Sequence, residues 1–296
     1  MGDAGFHEAA LTLTLKDGRR LSYLDLGVGG GPVVFHFHGH GSSRVESLML
    51  EEAAKRLGVR VIGLDRPGIG YSDPQDGDRL RNWPHDVAEV ADILGIEKFA
   101  VQGMSAGGPY ALACAYEYPD RVTACSLVSA VPTPDVAKRA GPRVRRLLWW
   151  AAARFPNYLR KRLMQFRPDA RPSEEAVQAR MQRVAMWLGG EDLHLMQIPE
   201  MRAILLRTML ETARQNGAGN RAEIERLVQP WGFDIRDITR PRLFLWHGDE
   251  DRIMPVAPAR RMARTLRNCT ATFYEDEGHF SVLVNRAADL LAPLRV

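Results

Sequence analysis

A single serine stands between glycines in the run Val101, Gln102, Gly103, Met104, Ser105, Ala106, Gly107, Gly108. Phe99 to Val101 read as the end of a buried strand, and Pro109 to Tyr118 as a helix closed by Pro119. Turning from strand to helix over so few residues strains the backbone at the serine, and side chains at Gly103 and Gly107 would collide with the neighbouring strand and helix. The hydroxyl is thereby pushed out at the carboxyl edge of a sheet, beside the unpaired N–H groups of the following helix. A serine hydroxyl is a weak nucleophile, so it needs an imidazole within reach, and the imidazole needs a carboxylate to fix its tautomer. Both groups occur near the far end of the chain. The apolar run Leu243 to Trp246 opens into His247, Gly248, Asp249, Glu250, Asp251, and Thr270 to Tyr274 leads into Glu275, Asp276, Glu277, Gly278, His279. His279 is the candidate base. Asp251 and Asp249 compete as its carboxylate, with Asp276 a remoter rival.

These residues resemble the α/β-hydrolase superfamily over nearly the whole chain, including its order of Ser, then acid, then His. Four motifs carry the likeness. His38, Gly39, His40, Gly41 resemble the HG oxyanion loop, and Asp65, Arg66, Pro67, Gly68, Ile69, Gly70, Tyr71, Ser72 the D-x-x-G-x-G-x-S segment. Gly103 to Gly107 match the nucleophile elbow, and Gly248 to Asp251, with Pro255 behind them, the G-x-x-D-x-x-x-P acid loop. The resemblance implies Ser105 as nucleophile, His279 as general base and acid, and Asp251 as orienting carboxylate. It also implies an oxyanion hole from the backbone N–H groups of Ala106 and His40. Losing one such donor costs roughly a hundredfold to a thousandfold in turnover.

The expected activity is that of a cofactor-independent serine hydrolase acting on an ester or related acyl bond of a small to medium apolar molecule. Carbon–carbon bond hydrolases, lactonases, acyltransferases and hydroxynitrile lyases use a similar set and stay open. Haloalkane dehalogenases and epoxide hydrolases place aspartate where Ser105 stands, and proline iminopeptidases typically carry HGGPG where this chain has His38 to Ser42. A hormone-receptor-like protein of this fold with little turnover is the alternative of another class. An intact triad favours the enzyme.

The elements that must position these groups are legible in outline. Leu11 to Leu15 and Leu21 to Leu26 flank Asp17 and Gly18, a hairpin signal. Val33 to Phe37, Val59 to Leu64, Lys98 to Val101 and Val122 to Val128 read as buried strands. Helical patterns separate them: Val45 to Leu57 closed by Gly58, Trp83 to Leu94 closed by Gly95, and Ala106 to Tyr118. Strands alternating with helices predict a mostly parallel sheet covered on both faces, with its site at the carboxyl ends of the strands. The fold class is therefore α/β, and the resemblance makes it the α/β-hydrolase fold.

After Ser129 the strand signals vanish until about Ile238, and prolines punctuate a helical pattern. This predicts a lid after the sixth core strand, with residues 1–131 and 239–296 as the core and 132–238 as the lid. Met104, His38, Trp149, Trp187 and Met196 are candidates for the substrate pocket, since Met and Trp tolerate varied apolar shapes. The first half of the lid is basic, from Lys138 and Arg139 through Arg143 to Arg171. A solvated face accounts for that run more simply than nucleic acid, membrane or an anionic substrate.

The 296 residues, 45% hydrophobic, are enough for a large core and an insertion, and the net charge of +4 is small. Apolar stretches fall short of a transmembrane span, and Met1 to Ala10 lack a signal-peptide pattern, so a cytoplasmic location is expected. Cys114, Cys125 and Cys269 suit reduced thiols. His36, His38 and His40 alternate as a metal cluster might, but without a distant ligand set, and no metal or other cofactor is expected. The expected partner is a small-molecule acyl substrate, with neither nucleic acid nor membrane.

Overall fold

Asp17 and Gly18 turn the chain between β1 (Leu11–Thr14) and β2 (Arg20–Gly27), which pair antiparallel with Leu13 opposite Leu21. Gly18 takes a φ of 86°, which L side chains rarely adopt. The computed structural model describes residues 10–75, 77, 79–139, 147, 173–186 and 188–296. Six further strands follow: β3 (Val33–Phe37), β4 (Arg60–Leu64), β5 (Phe99–Met104), β6 (Val122–Val128), β7 (Arg242–Gly248) and β8 (Cys269–Tyr274). They form one eight-stranded sheet in the order β1-β2-β4-β3-β5-β6-β7-β8. The pairs beyond β4 are all parallel, and β2 joins β4 antiparallel.

Because β4 lies on one side of β3 and β5 on the other, the chain direction across the sheet reverses at β3. Loops leaving the carboxyl ends of β3 and β5 diverge there, and open α/β sheets bind ligands in that crevice. The alternation Val34, Phe35 sends neighbouring side chains to opposite cores. Phe35, Ile62 and Val101 pack on one face with Trp83 and Tyr110, while Val34, Val61 and Ala100 pack on the other with Leu290 and Leu291. Each Val, Leu, Ile or Phe among them contributes about 1.5–3 kcal/mol on burial. Phe35 and Phe99 meet edge to face at 4.9 Å between ring centres.

The helices covering these faces are α1 (Glu51–Leu57), α2 (Trp83–Ile93) and α3 (Gly107–Glu117). Gly58 closes α1 in the left-handed region, at a φ of 69°. The helix expected from Val45 instead begins as a 3-10 segment, Arg44–Leu50. Its first residue is fastened from outside, with the Arg44 N–H donating to Asp65 Oδ1 at 2.6 Å. Ser47 also presses so close to the sheet that a Cβ at Gly63 would stand 2.4 Å from its hydroxyl oxygen.

Between β6 and β7 the described residues contain helices and no strand: α4 (Pro134–Arg139), α5 (Glu174–Ala185), α6 (Gly190–Leu195), α7 (Pro199–Thr212) and α8 (Ala218–Val228). Ser173 caps α5 by accepting from the Ala176 N–H at 3.3 Å. The candidates Trp149 and Trp187, and the basic run from Arg143 to Arg171, lie outside the described residues. The insert is fastened to the core by polar contacts. Thr208 Oγ1 accepts from the Ser43 N–H at 2.8 Å, and Gly219 lies so close to Gly68 that a Cβ would come 2.4 Å from its carbonyl oxygen. After β7 come α9 (Val256–Thr265), α10 (Ser281–Asn285) and α11 (Ala287–Leu291).

Among the described residues no helix is long and apolar enough to cross a membrane. The three cysteines are free thiols. Burial pushes Cys114 and Cys125 well above the usual thiol range and Cys269 to about 11.

Candidate active site

Ser105 occupies the turn between β5 and α3 with a φ of 51°, in the left-handed region. That conformation costs an L-residue about 1–2 kcal/mol and persists only where its surroundings enforce it. The enforcement is visible on both sides. The Ser105 N–H donates to Val128 O at 2.8 Å, while its carbonyl accepts from Gly108 at 3.1 Å and Val131 at 2.9 Å. A Cβ at Gly103 would stand 2.3 Å from the carbonyl oxygen of Gly107, and one at Gly107 2.0 Å from that of Phe37. Only glycine fits either position.

Asp251 leaves the loop after β7 and is 5% exposed. Its Oδ1 accepts backbone N–H groups from Ile253 at 2.9 Å and Met254 at 2.7 Å, and its Oδ2 lies 2.8 Å from His279 Nδ1. Burial would raise the carboxyl pKa, but the facing imidazole and these hydrogen bonds outweigh it and hold Asp251 below the usual range. Nδ1 of His279 is therefore the protonated nitrogen, donating to Asp251, and Nε2 is left as the basic one. His279 is itself buried, which disfavours its cation, yet the charge and hydrogen bond of Asp251 raise its pKa above the usual imidazole value. The rival carboxylates lie elsewhere. Asp249 pairs with Arg260 at 2.8 Å, and Asp276 is exposed.

Ser105 and His279 line one cavity of about 220 Å³. Its walls are largely apolar, with Met104 and Met196 beside Met181, Leu205, Met209 and Phe280. Arg180 of α5 also lines it, and its guanidinium reaches to within 3.2 Å of where a Gly41 Cβ would stand. His40 lies in the same wall, whereas the ring of His38 is buried away from it. Burial and the Arg66 guanidinium keep His38 neutral, well below the usual imidazole range, and its Nδ1 lies 2.8 Å from Gly39 O. The three alternating histidines do not converge: His36 sits between Gln102 and Glu46, and His40 Nδ1 is 2.7 Å from Glu223 Oε2. Among the described residues no group of three side chains is arranged to hold a metal ion.

The backbone N–H groups of His40 and Ala106 have no acceptor among the described residues. Ala106 stands at the N-terminal edge of α3, where the helix field favours negative charge. The Gly39 N–H, by contrast, is taken by both oxygens of Glu46 at 3.0 and 3.2 Å.

Sequence reasoning missed the groups that hold this loop. Arg66 donates to His38 O at 2.6 Å and to Glu223 Oε1 at 2.7 Å, and stacks on Tyr110 at 4.7 Å from the ring centre. The position of Arg66 inside the D-x-x-G-x-G-x-S segment was a signal for it. Glu46 and Glu223 carry none, because an acid on a polar helix face reads as solvated until the packing is known. Burial opposes a charge on Glu223, but Arg66 and His40 overcome it and hold the carboxyl well below its usual range.

Residues 32–286 match the family model described as alpha/beta hydrolase fold. A bifunctional esterase/perhydrolase from Acinetobacter calcoaceticus is 34% identical over 44% of this chain, and the chain spans about half (48%) of that protein's length. A 2-hydroxy-6-oxononadienedioate/2-hydroxy-6-oxononatrienedioate hydrolase from Burkholderia vietnamiensis is 27% identical over 88% of this chain and 85% of its own. Among solved structures, an esterase from Exiguobacterium antarcticum superposes with a TM-score of 0.69 at 17% identity, covering 97% of this chain and all (100%) of its own. With the match extending from the strand before the HG loop to the helix beyond His279, the chain belongs to the alpha/beta hydrolase fold family.

Proposed function

We propose that this α/β-hydrolase is a serine hydrolase that cleaves a carboxylic ester, or a related acyl bond, of a small to medium apolar substrate through an acyl-enzyme. One observation carries the proposal: His279, whose Nδ1 lies 2.8 Å from the buried Asp251, lines the same cavity as the strained Ser105. Ser105 Oγ attacks the substrate carbonyl as His279 Nε2 takes its proton. The developing oxyanion rests on the N–H groups of His40 and Ala106. The imidazolium, steadied by Asp251, then gives its proton to the departing alkoxide, and the alcohol leaves. Water is deprotonated by the same nitrogen, attacks the acyl carbonyl and releases the acid, returning the proton to Ser105.

The helical insert serves as a lid, since α5 and α7 supply Arg180, Met181, Leu205 and Met209 to the cavity wall. The apolar wall suits the acyl part of the substrate, and the scheme calls for no metal or cofactor. We place the enzyme in the cytoplasm, in keeping with its free thiols.

Turnover of p-nitrophenyl esters of graded chain length tests the assignment. The wild type is expected to hydrolyse short esters, and Ser105→Ala, folded by circular dichroism, to lose that activity. A folded Ser105→Ala variant with full activity would refute the mechanism. A wild type that binds the esters without turning them over would instead make the protein a receptor of this fold.

A second reading is favoured by two relatives aligned over most of the chain. These are the Burkholderia vietnamiensis hydrolase and a 2-hydroxymuconate semialdehyde hydrolase from Pseudomonas putida, 27% identical over 75% of this chain. In that reading the same three side chains cleave a carbon–carbon bond, with Arg180 in the cavity wall facing a substrate carboxylate. Faster turnover of a ring-cleavage diketone than of any ester would select it.

A further inference from the structure

Asp192 sits on α6 of the insert, 2% exposed, far in sequence from Ser105, Asp251 and His279. Its carboxylate gathers three consecutive backbone N–H groups: His279 donates to Oδ2 at 2.7 Å, and Phe280 and Ser281 donate to Oδ1 at 2.8 and 2.9 Å. These N–H groups open α10, so a carboxylate from the insert caps the helix that begins beside the imidazole. The fit is close enough to dictate the neighbouring residue. A Cβ at Gly278 would stand 2.4 Å from both the Asp192 Cγ and Oδ2.

A side chain this buried and this fully bonded is an anchor, and a carboxylate anchor also brings a charge. The groups facing the His279 ring are Asp251 from the loop after β7, Asp192 from α6, Glu46 from the 3-10 segment and His247 from β7. After burial, which lowers the imidazole pKa, and Asp251, which raises it most, Asp192 is the next contributor, and it also raises it. Asp251 holds the ring at Nδ1, while Asp192 holds the backbone from which the ring hangs.

We infer that Asp192 is a positioning residue of this active site: from the insert it fixes the backbone of His279 and adds a second negative charge beside the imidazole. Docking of the insert on the core and completion of the triad are then one event. This inference rests on the serine-hydrolase reading.

The test compares kcat, KM and the pH profile of p-nitrophenyl acetate hydrolysis in wild type, Asp192→Asn and Gly278→Ala, each checked for folding by near-UV circular dichroism. Asp192→Asn keeps the shape but removes the charge and, because an amide nitrogen cannot accept, at least one of the three N–H bonds. Gly278→Ala keeps the charge and forces the carboxylate off the N–H groups, so it carries the test if the Asn variant does not fold. For Asp192→Asn we expect kcat to fall by roughly tenfold to a hundredfold, KM to change little, and the acid limb of kcat/KM to move to lower pH. For Gly278→Ala we expect a comparable loss in kcat with a smaller displacement of the limb. A folded variant with wild-type kcat and an unmoved acid limb overturns the inference while leaving Ser105 its role. A wild type with neither ester turnover nor a phosphonate adduct at Ser105 overturns the serine-hydrolase reading and this inference with it.

Discussion

Arg66 in the core and Glu223 in the insert form a buried ion pair, with Nε 2.7 Å from Oε1, directly beneath the loop that carries His40. Both side chains are about 1–2% exposed, and Glu223 also holds His40 Nδ1 at 2.7 Å. The loop after β3 is thus fixed from below by a charge network and not by regular backbone pairing.

Removing one partner of such a pair strands the other charge in the interior, which costs about 3–5 kcal/mol. Glu223→Gln is therefore expected to lower the stability read by urea unfolding by that order. The pH dependence follows from the lowered carboxyl pKa. Glu223 contributes its stability in full above its unfolded value of about 4.3, and loses it as pH falls towards the folded value. The wild type should weaken through that acid range, and Glu223→Gln should show a flatter acid limb.

The glycines of the elbow make a steric prediction. Gly107→Ala would set a methyl group 2.0 Å from the Phe37 carbonyl oxygen, and that atom belongs to a central strand that cannot yield. Destabilisation of about 3 kcal/mol or more is expected, at or beyond the top of the usual range for overpacking, with a matching fall in the thermal midpoint. An Ala variant as stable as wild type would mean that the turn is looser than described.

Strain at Ser105 separates two substitutions that abolish the same hydroxyl. With φ at 51°, Ser105→Gly relaxes the backbone whereas Ser105→Ala keeps the strain. Both should be inactive, and the Gly variant should be more stable than the Ala variant by about 1 kcal/mol, since part of the relief is offset by the freer unfolded chain. Paired urea titrations read the difference.

Catalysis through His279 requires its neutral form, and Asp251 raises its pKa. The acid limb of kcat/KM should lie above the ordinary imidazole value of about 6.5. Asp251→Asn should move that limb to lower pH and cut kcat by roughly ten-thousandfold, as expected when the carboxylate that sets the tautomer is lost.

Much of this arrangement is legible in the residues. Strand and helix order follow from alternation and from Gly58 and Gly95, because a left-handed helix end demands glycine. Gly103 and Gly107 announce the elbow for steric reasons that hold in any sheet of this kind. The choice among Asp249, Asp251 and Asp276 was narrower in the sequence; of the three, Asp251 is the one buried against His279, which supports it as the proposed acid. Asp192, Glu223 and Glu46 were illegible, since their roles arise where segments distant in sequence meet. Periodicity reports which face of a helix is apolar, and it says nothing of a lone acid aimed inward. His38 resembles a pocket residue in its motif, but its position at the end of β3 turns the ring into the protein, and His40 takes the place in the cavity wall.

The most direct measurement is the mass of the protein after exposure to an alkyl fluorophosphonate, with the modified peptide located by tandem mass spectrometry. One phosphonyl group per chain is expected, carried on Ser105, absent in Ser105→Ala and formed far more slowly in His279→Gln. Adduct on another residue, or an unmodified wild type that still hydrolyses esters, would contradict the role of Ser105 as nucleophile.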